Sequence, residues 1–370
     1  MRNLTDKHHM TRVFRFKKFI HRRLFVTVIV WTALIACACS SKEVTSHLST
    51  CASAIQTLDY DTAVREADLA AETGEDKREA YRLKGIALFK SARYAEAEEA
   101  FQSSLSLSSG IVRDLDFDMN LFLAACKRGA GDFEGAALIY DNILALQADS
   151  VEALFERGCT RLELNDVGKA TDDFDRAIRI TPRDFDLRIR ICQAYTRHGL
   201  EAAGKALLQE ALSNYETAMS SYEKGRFNFY LGNNAVSQSQ LENALDSSGI
   251  DERAKAALLL GQTGEKQGDY GYAIEVYSSV LEKQPDYAEL LNRRGICYMK
   301  TGKYDAAVQD FEAGIALGYS PVYQMLLRNE IAAYEYAGAF AKAKNVMKKY
   351  VTLFPDDVQA VRDWVFLQTR

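Results

Sequence analysis

Residues 151–184 read VEALFERGCTRLELNDVGKATDDFDRAIRITPRD, one period of a pattern that runs through most of the chain. Gly158, Ala170, Phe174, Ala177 and Pro182 mark it. The same offsets return at Gly261, Ala273, Tyr277 and Pro285, at Gly295, Ala307 and Phe311, and at Gly85, Ala97 and Phe101. Self-similarity at a fixed period of this length is the signature of stacked supersecondary units, each too small to bury its apolar face alone. The chain of 370 residues has only four prolines. All four stand at period ends, where a helix must stop, so the periods themselves are free of helix breakers.

The pattern resembles the tetratricopeptide repeat family. That repeat has 34 residues in two antiparallel helices, with Gly or Ala at position 8, Ala at 20, an aromatic at 24 and Pro at 32. Numbered this way, the units run 44–77, 78–111, 117–150, 151–184, 185–218, 218–251, 254–287, 288–321 and 324–357. Residues 112–116 read as a short insertion. Residues 358–370, with Val361, Trp364, Val365 and Leu367, read as a capping helix. The resemblance implies an all-α fold, a right-handed superhelix (solenoid) of about nine helix pairs with first helices concave and second helices convex. Small residues at positions 8 and 20 are expected where the two helices of a unit come closest, and the aromatics at 24 between units. Gly131, Gly199, Gly232, Gly268, Gly302 and Gly338 share position 15, as left-handed residues that end the first helix. The first unit, with Ala67 at position 24, reads as poorly filled, and two middle units depart from the pattern. One has Cys192 at position 8 and Gly204 at 20; the next has Ser237 at 20 and Leu241 at 24. The middle is therefore a candidate bend.

Composition narrows the chemistry. Hydrophobic residues make up 48%, charged residues 26%, and the mean hydropathy is −0.22. That is globular and excludes a polytopic membrane protein. Of five histidines, His8, His9 and His21 precede the one long apolar run, and the seven cysteines form no C-x-x-C pair. Histidine catalysis, zinc ribbons and thioredoxin-like redox chemistry lack their residues, and no cofactor or metal is expected. Cys126, Cys159, Cys192 and Cys297 fall at positions 8 to 10 of first helices and read as buried thiols. Glu98–Glu99 and Asp172–Asp173 are adjacent on second helices, pointing about 100° apart, and read as solvated surface. His198, before Gly199, reads as a helix C-terminal cap.

The N-terminus reads as an address. Arg12, Arg15, Lys17, Lys18, Arg22 and Arg23 precede LFVTVIVWTALIA at 24–36, and Cys37 follows. A span needs about 20 apolar residues, so this shorter run after a basic lead reads as a secretory signal. Leu34-Ile35-Ala36-Cys37 resembles the bacterial lipobox. The resemblance implies removal of 1–36, a lipid on Cys37, a linker at 37–43, and anchoring to the cell membrane or outer membrane on the extracytoplasmic side. Cys39 is a second possible site, Met10 an alternative start, and an uncleaved anchor the competing reading. Eight Lys/Arg and one Asp/Glu lie in 1–36, so the remainder carries 38 against 50, a net −12. Net acidity argues against nucleic acid and anionic headgroups as partners.

By the same family resemblance, groove contacts come from positions 2, 5, 6, 9, 12 and 13. Carried over, the candidate partner-binding residues are Phe155, Arg190, Gln193, Arg197, Tyr222, Arg226, Tyr230, Arg293 and Arg328. Arg190, Arg197 and Arg226 beside Tyr222 and Tyr230 suit an acidic or aromatic segment. The clamp of chaperone-binding members needs Asn at position 9. Here that column reads Ala52, Ile86, Ala125, Cys159, Gln193, Arg226, Gln262, Ile296 and Ala332. The expectation is a non-enzymatic scaffold or adaptor that binds an unknown protein or peptide. An assembly factor for cell-wall, pilus or secretion machinery, and a small-ligand or carbohydrate-binding protein, are the alternatives. End-to-end self-assembly is opposed by the capping helix.

Overall fold

Each period breaks in two at a residue with positive φ. Six are glycines, between 73° and 83°. The other three periods reach the same conformation with Leu58 (61°), Ala92 (59°) and Asn165 (56°), so position 15 is left-handed in all nine. One residue later, Asp59, Asp132, Asp166 and Asp269 accept the backbone N–H three residues on, at 2.8–3.3 Å. Those carboxylates cap the second helix. A helix end and a helix start so close together fold each period into an antiparallel pair.

The computed structural model describes residues 46–109, 113–247, 249–355 and 357–369. The signal read at 1–36, Cys37 and the 37–43 linker lie outside the described residues. The described residues hold nineteen α-helices, one short 3₁₀ turn at Glu216–Ala218 and no strand, the all-α fold class expected. The pairs are α1 His47–Gln56 with α2 Tyr60–Thr73, α3 Lys77–Lys90 with α4 Tyr94–Ser106, and α5 Asp114–Gly129 with α6 Phe133–Leu146. Next come α7 Val151–Glu163 with α8 Val167–Ile180, α9 Phe185–Arg197 with α10 Glu201–Tyr215, and α11 Ser221–Leu231 with α12 Asn234–Ser247. Then follow α13 Ile250–Gln267 with α14 Tyr270–Leu281, α15 Ala288–Lys300 with α16 Tyr304–Ala316, α17 Tyr323–Tyr336 with α18 Phe340–Leu353, and α19 Val358–Gln368 alone. Residues 114–116, read as insertion, are the first turn of α5. Asp116 accepts the Arg113 N–H at 2.8 Å and pairs with Arg78 on α3, which draws the stretch into helix. First helices of neighbouring pairs touch one another, whereas second helices of neighbouring pairs approach far less. A stack closer on one side than the other curves, with the first helices inside.

The small residue at position 8 works differently from expectation. A Cβ on Gly158 would lie 2.5 Å from the Phe174 ring, and one on Gly261 2.2 Å from the Tyr277 ring. Position 8 is therefore a notch for the position-24 ring of its own pair. The far edge of that ring reaches the next unit: Phe101 stacks on Phe122 at 5.1 Å and Phe174 meets Tyr195 edge-on at 5.3 Å. The two irregular units keep the pairing by compensation. In one, the small residue has moved from position 8 to 20, so a Cβ on Gly204 would lie 3.0 Å from Cys192. In the other, Leu241 replaces the ring over Gly225, and Ser237 donates to the Gly225 carbonyl at 2.9 Å.

Buried charge clasps neighbouring units. Arg157 donates to Asp173 in its own pair at 2.9 and 2.6 Å and to Asp141 of the preceding pair at 2.6 Å. Arg294 repeats this with Asp310, at 2.8 and 2.7 Å, and with Ser278 at 3.0 Å. Asp173 is thus buried, not solvated, because Arg157 and Arg161 both hold it. Cys51, Cys126, Cys159, Cys192 and Cys297 are buried free thiols.

At the C-terminal end, α19 buries Ala360 and Leu367 against the last pair. Val358, Val361 and Val365 lie on its opposite face, exposed, and Phe366, also exposed, edges the groove that Ala360 and Asp363 form with Arg328 and Tyr350. The outer face of the cap is thus apolar. At the other end, Leu58 packs against the C-terminal apolar cluster that holds Val322, Tyr323 and Leu326.

Candidate functional site

Positions 2, 6, 9 and 13 of a first helix share one face, since residues three and four apart are helical neighbours. On that inner face the candidate arginines other than Arg197 are already engaged with carboxylates. Arg190 on α9 forks onto Glu152 of α7 at 3.0 and 2.9 Å and reaches Glu156 at 3.5 Å. Glu156 also pairs with Arg128 on α5. This chain of charges stitches α5, α7 and α9 together. Burial pushes the Glu156 carboxyl up against the pull of Arg128. Burial, reinforced by Glu156, pushes the Cys159 thiol up to about 12, so it is no nucleophile.

Two aromatic candidates are core rather than contact residues. Phe155 is 5% exposed, and the Arg190 guanidinium lies 3.9 Å above its ring. Tyr222 is 7% exposed beneath Arg226, 5.1 Å from the ring. Burial pushes the Tyr222 phenol up. The reason is common to both: the arginine one unit on, or one turn on, lies over the ring as a lid. Arg226 itself is held by Asp186 at 2.5 Å.

Gln193, Arg197 and Tyr230 are what remains open. Gln193 donates to the Tyr230 hydroxyl at 2.7 Å, bridging α9 and α11. Arg197 is exposed, and its Nε donates to the Gln193 carbonyl at 3.4 Å. Phe229 meets Tyr230 edge-on at 5.5 Å, with the Lys266 ammonium 4.2 Å over the Phe229 ring. Arg293 and Arg328 sit further along, bonded to Glu265 at 3.3 Å and to Asp357 at 3.2 Å. The structure thus joins Gln193, Arg197 and Tyr230, sets Arg190 and Arg226 as struts, and leaves Arg293 and Arg328 apart. The carboxylates Glu152, Asp186 and Glu265 were missed. For two of them the signal was there: Glu152 and Asp186, at position 2, face basic residues at 6 or 9 of the next unit, whereas Glu265 stands at position 12 and follows no such column. Among the described residues no group of three or more His, Cys, Asp or Glu is placed to hold a metal ion.

Profiles of the tetratricopeptide repeat match residues 53–110, 127–185 and 222–288 and, with a second profile, 266–329, together more than half of the chain. The chain is a tetratricopeptide-repeat protein. Among curated proteins this repeat protein is 23% identical to human DnaJ homolog subfamily C member 7, over 72% of the chain and 46% of the relative. It is 29% identical to photosystem I assembly protein Ycf3 of Prochlorococcus marinus, over 31% of the chain and 78% of the relative. It is 23% identical to the CTR9 homolog of Arabidopsis thaliana, over 79% of the chain and 28% of that protein. The chain therefore spans only about a quarter to a half of the length of several of these relatives. Of solved structures, yeast Tom70 aligns at 16% identity over 87% of the chain and 80% of Tom70, with a TM-score of 0.49. A tetratricopeptide repeat protein from Parabacteroides merdae aligns at 15% identity over 79% and 99%, with a TM-score of 0.41.

Proposed function

We propose that this protein is a non-enzymatic scaffold or adaptor, held to a membrane on its extracytoplasmic side by a lipid on Cys37. It takes a peptide or helix of a protein partner along its first-helix face. The fold brings no reaction chemistry of its own. One observation carries the binding surface: Gln193, Arg197 and Tyr230 form an open polar–aromatic patch between helices whose spacing is locked by ion pairs. A patch on pre-spaced helices loses little freedom on binding. Its one exposed guanidinium and its phenol suit a carboxylate or a planar group.

The test is crosslinking and mass spectrometry in the native cell, with the full chain tagged at its C-terminus. The control carries Gln193→Ala, Arg197→Glu and Tyr230→Ala, which leaves the Arg190 and Arg226 struts intact. A partner captured by the parent and lost from the control is expected. Equal capture by both would move the interface off this face. A labelled fatty acid should enter the parent and not the Cys37→Ser variant; label in both, or in neither, overturns the anchor.

A further inference from the structure

The nine second helices are not alike in charge. From α2 to α16 each is acidic or neutral, carrying between zero and three net negative charges. α18 carries Lys342, Lys344, Lys348 and Lys349 and no acid. Lys342, Lys348 and Lys349 are exposed and Lys344 is half-buried. Among the described residues none of the four lies within ion-pair distance of a carboxylate. Lys342 and Lys349 lie over the Tyr334 and Tyr323 rings, at 5.3 and 5.6 Å, and the charge of Lys349 is felt by Glu330 and Tyr319. On α19, the next helix, Val358, Val365 and Phe366 are 57–62% exposed, Val361 is 39% exposed, and Arg362 stands among them.

We infer that the α18–α19 end is a docking surface for an anionic lipid bilayer. The lysines are hydrated point charges on flexible stems, without the fork that reads a single carboxylate, and suit a diffuse anionic plane. The valines and the Phe366 ring beside them supply the apolar side chains that interfacial elements seat at the headgroup boundary. The acidity of the rest of the chain does not oppose this at physiological salt, where charges are screened beyond about 8 Å. The lipid anchor proposed above is compatible but not required. About ten residues separate Cys37 from α1, at most about 35 Å of extended chain. The α1–α2 turn at Leu58 packs against the same C-terminal core that α18 covers.

The test uses residues 45–370, one unit that contains every apolar cluster of the described chain and lacks the anchor. They are sedimented with vesicles of phosphatidylcholine alone and of phosphatidylcholine with phosphatidylglycerol. Binding is expected to the phosphatidylglycerol vesicles and to be lost at high salt. Lys342→Glu, Lys344→Glu and Lys348→Glu together should weaken it about tenfold or more. Val365→Ser with Phe366→Ser should weaken what binds at low salt. Equal binding to both vesicles, or by the lysine variant and its parent, overturns the inference. A salt-sensitive dimer without vesicles, abolished in the lysine variant, would assign the lysines to the acidic second helices of another copy instead. The Gln193, Arg197 and Tyr230 variant should bind vesicles like its parent, so this test and that of the inner face fail independently.

Discussion

Ala92 holds a left-handed backbone with its methyl group in the way, at φ 59° where six sister units use glycine. An L-residue in that region costs about 1–2 kcal/mol, part of which is offset because alanine also restricts the unfolded chain. Ala92→Gly should therefore stabilise the second pair by about 0.5–1 kcal/mol. Asn165→Gly should gain less, since Asn tolerates this region better. Hydrogen exchange of α3 and α4, or the thermal midpoint, reads the gain; a loss would show that Ala92 is held by contacts worth more than its strain. This position also marks a limit of legibility. The six glycines of position 15 announced themselves by residue type. Leu58, Ala92 and Asn165 did not, because there the pair's packing, joined by a capping carboxylate after Leu58 and Asn165 but not after Ala92, imposes the conformation on a residue that does not prefer it.

At the scale of the element, position 7 of the first helix shows what periodicity alone misses. The columns at 8, 15, 20 and 24 were legible because each demands one size of side chain. The clasps were not, since they pair charges sixteen residues apart in units where position 7 also varies. Arg294 and Asp310 form such a clasp, with the Asp310 side chain 7% exposed. Removing one partner strands a buried charge, which costs about 3–5 kcal/mol, whereas replacing both by apolar residues is often nearly neutral. Arg294→Met alone should open α15 and α16 to hydrogen exchange, and Arg294→Met with Asp310→Leu should recover most of the protection.

In the last pair the same slot holds Glu330. Burial and the facing Glu312 carboxylate push its carboxyl up from 4.5 to about 7, against the pull of Lys349. Tyr334, on the same helix, donates to Glu312 at 2.5 Å. The folded state thus holds the Glu330 proton more tightly than the unfolded state. Stability falls as pH rises from about 4.5 to about 7 and levels off above, by at most about 3 kcal/mol. Glu330→Gln should match the parent near the bottom of that window and raise its thermal midpoint at pH 8. A gain independent of pH would mean that the glutamine simply packs better.

At the scale of the molecule, the array meets itself. Leu58, in the turn between α1 and α2, packs against the apolar cluster of the last two pairs, and Asp59 is near enough to Tyr319 for its charge to be felt. No repeat pattern contains this contact, because it depends on curvature accumulated over many pairs rather than on neighbours. It limits how a partner enters the inner face: past the ends, or by opening the contact between first and last units. Two variants separate this contact from local stability. Leu58→Asp sets a charge beside Asp59 against apolar side chains and should open the array, with a larger radius of gyration by small-angle scattering. Leu58→Gly removes the same side chain but relieves the φ of 61°. It should expand the scattering profile while leaving the thermal midpoint level or slightly higher, since the relieved strain of about 1 kcal/mol offsets the lost packing. Scattering unchanged in both would mean that the curvature of the pairs alone sets the shape and that Leu58 rests on its neighbours without holding them. Expansion in both, with a falling midpoint only for Leu58→Asp, would establish the contact as a latch on the inner face.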